Sequence, residues 1–425
     1  MPASWTGRRR YHTNSADEPV TRGPDHLLIV SHVLARLHQG EVYLQGGFGR
    51  HLDAFADRAA RVTILTCAQR VDQAPDEYRL RAGNVTVVPL PAYGGGGRLR
   101  RYGRMMRVAF AALLRLPPLM KSADVLHPRL PSAVGMVGAV LSRSFRGPVV
   151  YYMAGDWGAA LRAKGHPFAR LLAGILDPTL RWMVRNGHCF AAGDAVARVI
   201  GGGDGVTAVM TTALDSSHVL DADAVADRAR RDPRLMLFVG AVWKMKGAHH
   251  FVNAVPMLRE RHPELEARLI GQVTGGDWLD PMIDELGVRD VVEHRPHMAW
   301  DRLMECYDEA DVFVMPSVEG RGEGVPKVAL EAMARGVPVV ASDVGGIRTL
   351  ITHEANGLLV PPGDERELVD AVSRLWGDAD LRSRLARAGV ETARGHGLDH
   401  LIDLMVSRMQ AGNPDGRSLV AEASS

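Results

Sequence analysis

The chain has 425 residues, a formal net charge of +2 and 46% hydrophobic residues. This length exceeds that of one ordinary domain and suits two domains of about 200 residues each. The small net charge argues against a protein whose main partner is a nucleic acid, and no apolar run reaches the roughly 18 residues of a membrane-spanning helix.

The N-terminal segment and the cysteines favour a cytoplasmic protein. Residues 1–23 are polar, carry a run of three arginines and lack the apolar core of a signal peptide, so we expect a disordered tail. The three cysteines are far apart and show no metal-ligand or disulfide spacing, which is typical of buried thiols in a reducing compartment. They are Cys67, Cys189 and Cys306.

Residues 24–219 alternate strand and helix patterns, which predicts a doubly wound parallel sheet. A glycine run at 46–49 opens a helix that extends to about Ala60. This run contains half of a dinucleotide fingerprint, but it follows the first strand by about 15 residues instead of forming its tight turn, so we discount that interpretation. The predicted strands are Leu27–Ser31, Val62–Thr66, Val85–Leu90, Val125–Leu126, Val149–Tyr152, Cys189–Ala191 and Val206–Met210.

A basic stretch with an apolar continuation occupies residues 98–120. Five arginines lie between positions 98 and 107, and the run Val108–Met120 is mostly apolar. Such a segment can lie on an anionic membrane, and it can also be a surface helix with a solvated basic face. An anionic substrate is a third interpretation, and the sequence leaves all three open.

The next polar candidates follow the strand at 149–152. Asp156 could contact a sugar or a hydroxyl group, or it could cap the helix that begins after it. Residues 220–234, which are charged and contain Pro233, predict a linker to a second alternating set at 235–395. A helix at 396–412 and a tail at 413–425 complete the predicted organisation.

Two predicted loop-to-helix entries in the C-terminal half carry scarce lysines. The chain has only five lysines, and Lys244, Lys246 and Lys327 lie at these entries. An ammonium group donates well to phosphate oxygens, so this placement predicts a diphosphate cleft. Solvated surface lysines are the alternative.

A pair of glutamates brackets the second entry. Proline suits the first helical position, so a helix is expected to begin near Pro326 and to stop at Gly336. Glu323 then lies in the entering loop, and Glu331 lies one to two turns inside the helix. The free amides of the first turn favour a diphosphate, Glu331 can accept both hydroxyls of a ribose, and Glu323 can bind sugar hydroxyls. Two solvated glutamates on an amphipathic helix are the alternative.

These residues and their neighbours resemble the donor-site signature of the family-4 retaining glycosyltransferases, also known as glycosyl transferases group 1. The matching stretches agree in order, spacing and residue type, and they cover most of the C-terminal half. They are Leu235–Gly240 with Lys246-Gly247, Leu269–Gly271, Tyr307–Ser317, Glu323-x7-Glu331, Ala332–Ala334, Gly336–Ser342, Gly345-Gly346 and Asn356–Asp364.

The resemblance implies a GT-B fold of α/β class, in which two doubly wound Rossmann-like domains face each other across a cleft. It implies an acceptor-binding first domain, a nucleotide-sugar-binding second domain and a last helix that crosses back to the first. Two positions depart from the family pattern: Ala241 replaces an arginine, for which Lys244 is a candidate substitute, and the strand at 149–152 lacks a following histidine. The candidate catalytic residues are Glu323, Lys246 and Asp156, and the candidate donor-binding residues are Gly47, Gly240, Lys244, Gly324, Val325, Pro326, Lys327 and Glu331.

The predicted function is transfer of a sugar from a nucleoside diphosphate to a hydroxyl acceptor with retention, in cell-envelope glycan or natural-product biosynthesis. No cofactor is expected, and no metal, because the two Asp-x-Asp motifs at 221 and 378 do not follow strands. The acceptor could be a glycan, a lipid-linked molecule or a small molecule, with peripheral contact to the inner membrane face through residues 98–120. A same-fold epimerase or hydrolase and a non-catalytic binder remain as alternatives.

Overall fold

The computed structural model describes residues 23–44, 46–92, 98–155, 158, 167–201, 205–210, 212–318 and 326–411. They form two α/β domains, each built on one sheet. The strands of the first domain are β1 (His26–Val30), β2 (Ala35–His38), β3 (Glu41–Leu44), β4 (Arg61–Arg70), β5 (Tyr78–Arg79), β6 (Val85–Pro91), β7 (Val125–Leu130), β8 (Val150–Met153), β9 (His188–Ala192) and β10 (Val206–Val209). Its helices are Gly46–Ala56, Arg98–Met120, Ala133–Leu141, Pro167–Met183 and Asp194–Ile200.

The second domain follows the same alternation. Its strands are β11 (Leu235–Val239), β12 (Glu266–Ile270), β13 (Val292–Arg295), β14 (Val312–Met315), β15 (Val339–Ser342) and β16 (Leu358–Val360). The remaining helices are Ala222–Ala229, Ala248–Arg261, Leu279–Glu285, Trp300–Glu309, Lys327–Ala334, Glu365–Gly377, Ala379–Arg394 and Leu398–Ala411.

Both sheets are mainly parallel, as the alternation predicts. The first has the order β10-β9-β8-β7-β1-β4-β2-β3-β5, with β6 also paired to β4, and the second has the order β13-β12-β11-β14-β15-β16. The inner strands β1 and β11 are buried along their whole length, because helices cover both faces of a doubly wound sheet. The predicted α/β class with two Rossmann-like domains is confirmed.

The sequence analysis missed the antiparallel edge of the first sheet. Strands β2 and β3 form a hairpin through Gln39 and Gly40, which both have positive φ angles of 48° and 85°. This backbone fits a two-residue hairpin turn, for which a following glycine is the sequence signal. The strand β5 then pairs with β3 and extends the edge.

The segment expected to be a linker contains a packed helix. Asp221 caps the helix Ala222–Ala229 by accepting from the Ala224 amide at 2.8 Å, and Val225 is buried against Ala386 and Val390. Arg228 donates to the backbone carbonyl oxygen of Tyr307 at 2.6 Å. Residues 222–229 are therefore anchored on the second domain, and the segment predicted as a linker contains a helix that was not predicted.

The last helix, Leu398–Ala411, packs on the first sheet. Its buried side chains recur at a helical spacing and join the core around β1 and β4; they are Leu398, Leu401, Ile402, Met405, Val406 and Met409. Arg58, at the end of the helix Gly46–Ala56, donates to Asp403 at 2.6 Å and to Asp399 at 3.3 Å. The chain thus returns from the second domain to the first.

Within the described ranges, no helix is both long and apolar enough to cross a bilayer. The three cysteines are buried and unpaired, as their spacing predicts.

Candidate active site

The first predicted donor entry is a tight turn after β11. Lys244–Lys246 form one turn of 3-10 helix, and Gly247 follows with a positive φ of 74°. A Cβ atom at Gly247 would lie 1.6 Å from the carbonyl oxygen of Pro316, so only glycine allows this approach. The turn therefore packs directly against the end of β14, from which the chain continues to the predicted Glu323 loop.

The lysines of this turn differ in their surroundings. Lys246 is half-buried, whereas Lys244 is exposed and holds its ammonium 5.8 Å from the centroid of the Trp278 ring. Ala241, which replaces the expected arginine, is exposed. Lys244 starts three residues further along the chain, so it supplies charge near this end of β11 but not the planar donor fork of an arginine.

Two glycines lie at the carboxyl ends of the neighbouring strands. Gly240 and Gly271 directly follow β11 and β12, and both have a φ of 144°. A Cβ atom at Gly271 would meet the carbonyl oxygen of Gly240 at 1.8 Å. Ligands of open parallel sheets bind outside the carboxyl ends of the strands, and Gly240 lies at that edge.

The second predicted entry forms the helix Lys327–Ala334. Pro326 is its N-cap residue, and the helix ends before Gly336, whose φ is 66°. These boundaries agree with the prediction. Glu323, Gly324 and Val325 lie outside the described residues.

Glu331 is held inside this helix as a buried carboxylate. Its side chain accepts from the indole Nε1 of Trp300 at 3.0 Å and from the Tyr307 hydroxyl at 3.1 Å, one donor on each oxygen. Burial raises the pKa of Glu331, while these two hydrogen bonds and Lys327 oppose the change. Each oxygen keeps capacity for a further donor, so the carboxylate is fixed in orientation and remains able to bind a diol.

Trp300 and Tyr307 were not among the candidate site residues. They come from the helix Trp300–Glu309, more than 20 residues before Glu331. Their spacing of seven places both on one face of that helix, which is a signal for a shared partner but does not identify Glu331 as that partner.

Lys327 lies on the first turn of the helix. Its side chain is exposed, yet desolvation by the surrounding protein lowers its pKa; Glu331 opposes this change and Arg129 adds to it. Arg129 belongs to the first domain, so charges of both domains act on the pKa of this ammonium group.

The first-domain wall is built on the helix Gly46–Ala56. Gly47 is exposed, and a Cβ atom there would lie 3.8 Å from that of Ala213. The ring Nδ1 of His51 donates to the carbonyl oxygen of Gly47, one turn back. Asp156 lies outside the described residues.

A direct contact joins the two walls. Arg50 is only 7% exposed and donates to Asp301 of the second domain at 2.5 Å. Its guanidinium carbon lies 4.6 Å from the centroid of the Trp300 ring and 4.8 Å from that of Tyr78. The same indole therefore contacts Arg50 and orients Glu331.

Among the described residues, no group of three or more His, Cys, Asp or Glu side chains could hold a metal ion. The ring Nδ1 of His250, on the helix Ala248–Arg261, forms a hydrogen bond with Glu365 at 2.6 Å.

Comparison with known proteins agrees with this geometry. The model of the glycosyl transferases group 1 family matches residues 222–392. A D-inositol 3-phosphate glycosyltransferase of Paenarthrobacter aurescens (strain TC1) is 37% identical over 172 residues, which are 40% of this chain and 41% of that protein. The chain thus spans less than half the length of this curated relative.

Solved structures extend the likeness over both domains. A sucrose-phosphate synthase of Thermosynechococcus elongatus aligns with a TM-score of 0.61 and 21% identity over 91% of this chain and 98% of that chain. The protein HepE of Anabaena, solved in complex with UDP, aligns with a TM-score of 0.58 and 18% identity over 90% of this chain and 98% of that chain. At these identities the likeness establishes the fold. The chain therefore has a GT-B fold, and its residues 222–392 match the model of the glycosyl transferases group 1 family.

Proposed function

We propose that the protein transfers a sugar from a nucleoside diphosphate to a hydroxyl acceptor, with retention at the anomeric carbon and without a metal ion. The observation that carries this proposal is the buried Glu331 carboxylate, oriented by Trp300 and Tyr307 one turn inside a helix that begins beside Lys327. Two fixed carboxylate oxygens near the free amides of a helix N-terminus suit a ribose that is joined to a diphosphate.

Each candidate residue has a role in this proposal. Lys246, Lys244 and the amides near Gly324–Pro326 stabilise the leaving diphosphate, and Glu331 holds the ribose. Glu323 orients the transferred sugar, and Asp156 contacts the reacting sugar or the acceptor hydroxyl. Gly240 and Gly47 leave room for the ligand on the two walls of the cleft.

The proposed reaction needs no strong protein base. The acceptor oxygen bonds to the anomeric carbon on the face from which the diphosphate departs, and the carbon–phosphate oxygen bond breaks. The acceptor proton passes to the leaving phosphate oxygen. Protein cations and amides carry the charge role that a metal ion has in other transferases.

Similar proteins support the donor class. The curated relatives are named as glycosyltransferases, and HepE has been solved with UDP and with UDP-glucose. The curated relative of Paenarthrobacter aurescens aligns with only 40% of this chain, so D-inositol 3-phosphate, the acceptor in its name, is one candidate here among others. Cell-envelope glycans and glycosylated natural products both remain candidate products in the cytoplasm.

Contact with a membrane is a further part of the proposal. In the helix Arg98–Met120, Met106, Phe110 and Leu114 are each more than 60% exposed, and their spacing of four places them on one face. Exposed arginines such as Arg107 lie on the same helix. An apolar face beside basic residues suits the surface of an anionic membrane.

The test is product analysis with UDP-glucose, alone and with a panel of polyols, monosaccharides and inositol phosphates. We expect UDP release that depends on an acceptor, and a new glycoside with the anomeric configuration of the donor. Lys246→Ala and Glu323→Gln should each reduce this turnover at least 100-fold, because they remove contacts to the leaving group and the sugar.

Other outcomes favour the rival functions. Free glucose or an isomerised sugar formed without acceptor would favour a hydrolase or epimerase. Donor binding without turnover, with Glu323→Gln changing affinity alone, would favour a non-catalytic binder. The panel is repeated with GDP-, ADP- and dTDP-glucose, so that an incorrect donor base is not mistaken for inactivity.

A further inference from the structure

Arg129, at the carboxyl end of β7, is a cation that the described protein leaves uncompensated. Its guanidinium carbon lies 4.5 Å from the centroid of the Phe48 ring and 4.3 Å from that of Tyr152. Among the described residues it contacts no carboxylate, and its guanidinium donates no hydrogen bond to a protein acceptor. The aromatic rings thus hold a half-buried guanidinium whose N–H donors have no partner within the part of the chain that the structure describes.

The groups around Arg129 do not neutralise it. His51 and His127 are buried, and desolvation followed by the charge of Arg129 lowers the pKa of each to about 3, so both rings are neutral. Lys327 adds a second positive charge from the opposite domain. Among the described residues, Glu331 is the carboxylate that raises the pKa of Lys327. It already accepts two hydrogen bonds.

Each of the two buried histidines also has one ring nitrogen without a hydrogen bond. Each donates from Nδ1 to a backbone carbonyl oxygen, His127 to Val150 at 2.6 Å and His51 to Gly47. The ring nitrogen Nε2 of each is buried without a hydrogen-bond partner in the described protein. These buried acceptors are not open to a bound anion, so the donors of the site come from Arg129 itself.

Arg129 and the diphosphate entry at Lys246 belong to different domains. Arg129 pairs in register with Tyr152 of β8, and Phe48 begins the helix that forms the first-domain wall. Lys246 lies at the end of β11 in the other domain. In the proposed transferase, the first domain binds the acceptor, so the unmatched guanidinium lies on the acceptor wall.

We propose that Arg129, on the first-domain wall, forms a subsite for an anionic group, a phosphate or a carboxylate, carried by the acceptor. A guanidinium whose faces are covered by aromatic rings keeps its edge for two parallel hydrogen bonds to such a group. This inference rests on the proposed function and adds to it that the acceptor is negatively charged. The donor diphosphate is a second source of the same chemistry, and the test separates the two.

The experiment measures binding of inorganic phosphate and of UDP to the full chain by calorimetry, with potassium chloride holding the ionic strength constant. Arg129→Gln removes the charge, and Arg129→Lys keeps it without the planar fork. Arg79→Gln is the control, because Arg79 is an exposed cation of the same domain that pairs with Glu41. GDP, ADP and dTDP replace UDP if the protein selects another base.

We expect Arg129→Gln to weaken phosphate binding at least tenfold, Arg129→Lys to weaken it by a smaller factor, and the control to match the wild type. Affinity for the nucleoside diphosphate should change less than twofold. Equal phosphate affinity in the wild type and Arg129→Gln, or no phosphate binding to the wild type, would overturn the inference. A parallel loss of nucleotide affinity would assign Arg129 to the donor diphosphate and would also overturn it.

These outcomes do not depend on turnover. Phosphate binding that requires Arg129 can be observed even if no sugar is transferred, so failure of the proposed reaction and failure of this subsite are distinguishable. If Arg129→Gln does not fold, Arg129→Lys carries the comparison, because it keeps the charge and loses the planar fork.

Discussion

Among the individual side chains, Glu331 and its two donors define the site most sharply. A carboxylate that is only 7% exposed is costly unless it is hydrogen-bonded, and Trp300 and Tyr307 provide those bonds. Two large aromatic side chains thus fix the two oxygen atoms of one carboxylate. Such pre-orientation is expected of a ligand contact, because a loosely held acid would not keep both oxygens directed at a diol.

The two buried histidines of the first-domain wall lead to a prediction about pH. The pKa of each is lowered to about 3 from 6.5, so the folded protein keeps both rings neutral while the unfolded chain takes up protons below about pH 6.5. The free energy of unfolding should therefore decrease as the pH is lowered from about 6.5 to 3. The decrease is up to about 1.4 kcal/mol per pH unit for each histidine.

Urea unfolding at pH 7, 6 and 5 measures this effect. In His127→Gln the free energy of unfolding should depend less steeply on pH than in the wild type, by about one proton. His400→Gln, on the exposed side of the last helix, should keep the wild-type slope. Identical slopes in the wild type and His127→Gln would show that the buried ring is not the group that titrates on unfolding.

The residues proposed for the second-domain side of the site follow from local sequence patterns, and the contacts that surround them do not. Lys246, Gly247 and Glu331 were proposed because their spacing follows local turns and one helix. Trp300 and Arg129 were missed because each acts through a partner distant in sequence. A tryptophan at a helix start or an arginine in a strand has no local signal for such a partner.

Among the elements, the helix Arg98–Met120 carries the clearest exposed apolar surface. Leu113 and Leu114 lie beside Phe110, and all three are at least 45% exposed. Each such side chain gains about 1.5 to 3 kcal/mol when fully buried. We therefore expect the protein to sediment with vesicles that contain anionic lipid, and the double change Phe110→Ser and Leu114→Ser to reduce the bound fraction at least fivefold.

The control for this prediction is Val140→Ser, since Val140 is 45% exposed on a different helix of the same domain. If the wild type does not sediment with anionic vesicles, or if the double variant binds them as well as the wild type, this helix is an ordinary surface element.

At the same level, strands and helices with strong periodicity were predicted correctly, and short or context-dependent elements were not. The parallel strands are continuous apolar runs that read clearly from sequence. The β2–β3 hairpin was missed because its strands are only four residues each. The helix Ala222–Ala229 was missed because most of its residues are charged or small, and its buried side consists only of Val225, Arg228 and Ala229.

In the molecule as a whole, the two domains are connected both through the last helix and across the cleft. Arg50 links the first-domain wall to Asp301 and Trp300, and Trp300 in turn orients Glu331. Arg50→Ala should loosen this contact, weaken nucleotide binding about three- to tenfold and increase the radius of gyration in small-angle scattering. The physical reason is that the indole loses one of the groups that hold it in place.

Arg302→Ala is the matched control, because Arg302 is exposed on the same helix as Trp300 and pairs locally with Glu305. Unchanged affinity and scattering in Arg50→Ala would show that the domains hold their relative position without this contact.

Nucleotide binding tests the central claim most directly. Thermal stability is measured with UDP, GDP, ADP and dTDP for the wild type, Glu331→Ala and the exposed control Glu305→Ala, first without and then with a divalent metal. We predict stabilisation by one diphosphate, worth about 2.7 kcal/mol at 100 times its Kd, that is retained in the control and lost in Glu331→Ala. An equal shift in Glu331→Ala, or no shift with any nucleotide, would contradict the assignment of this cleft as a nucleotide-sugar site.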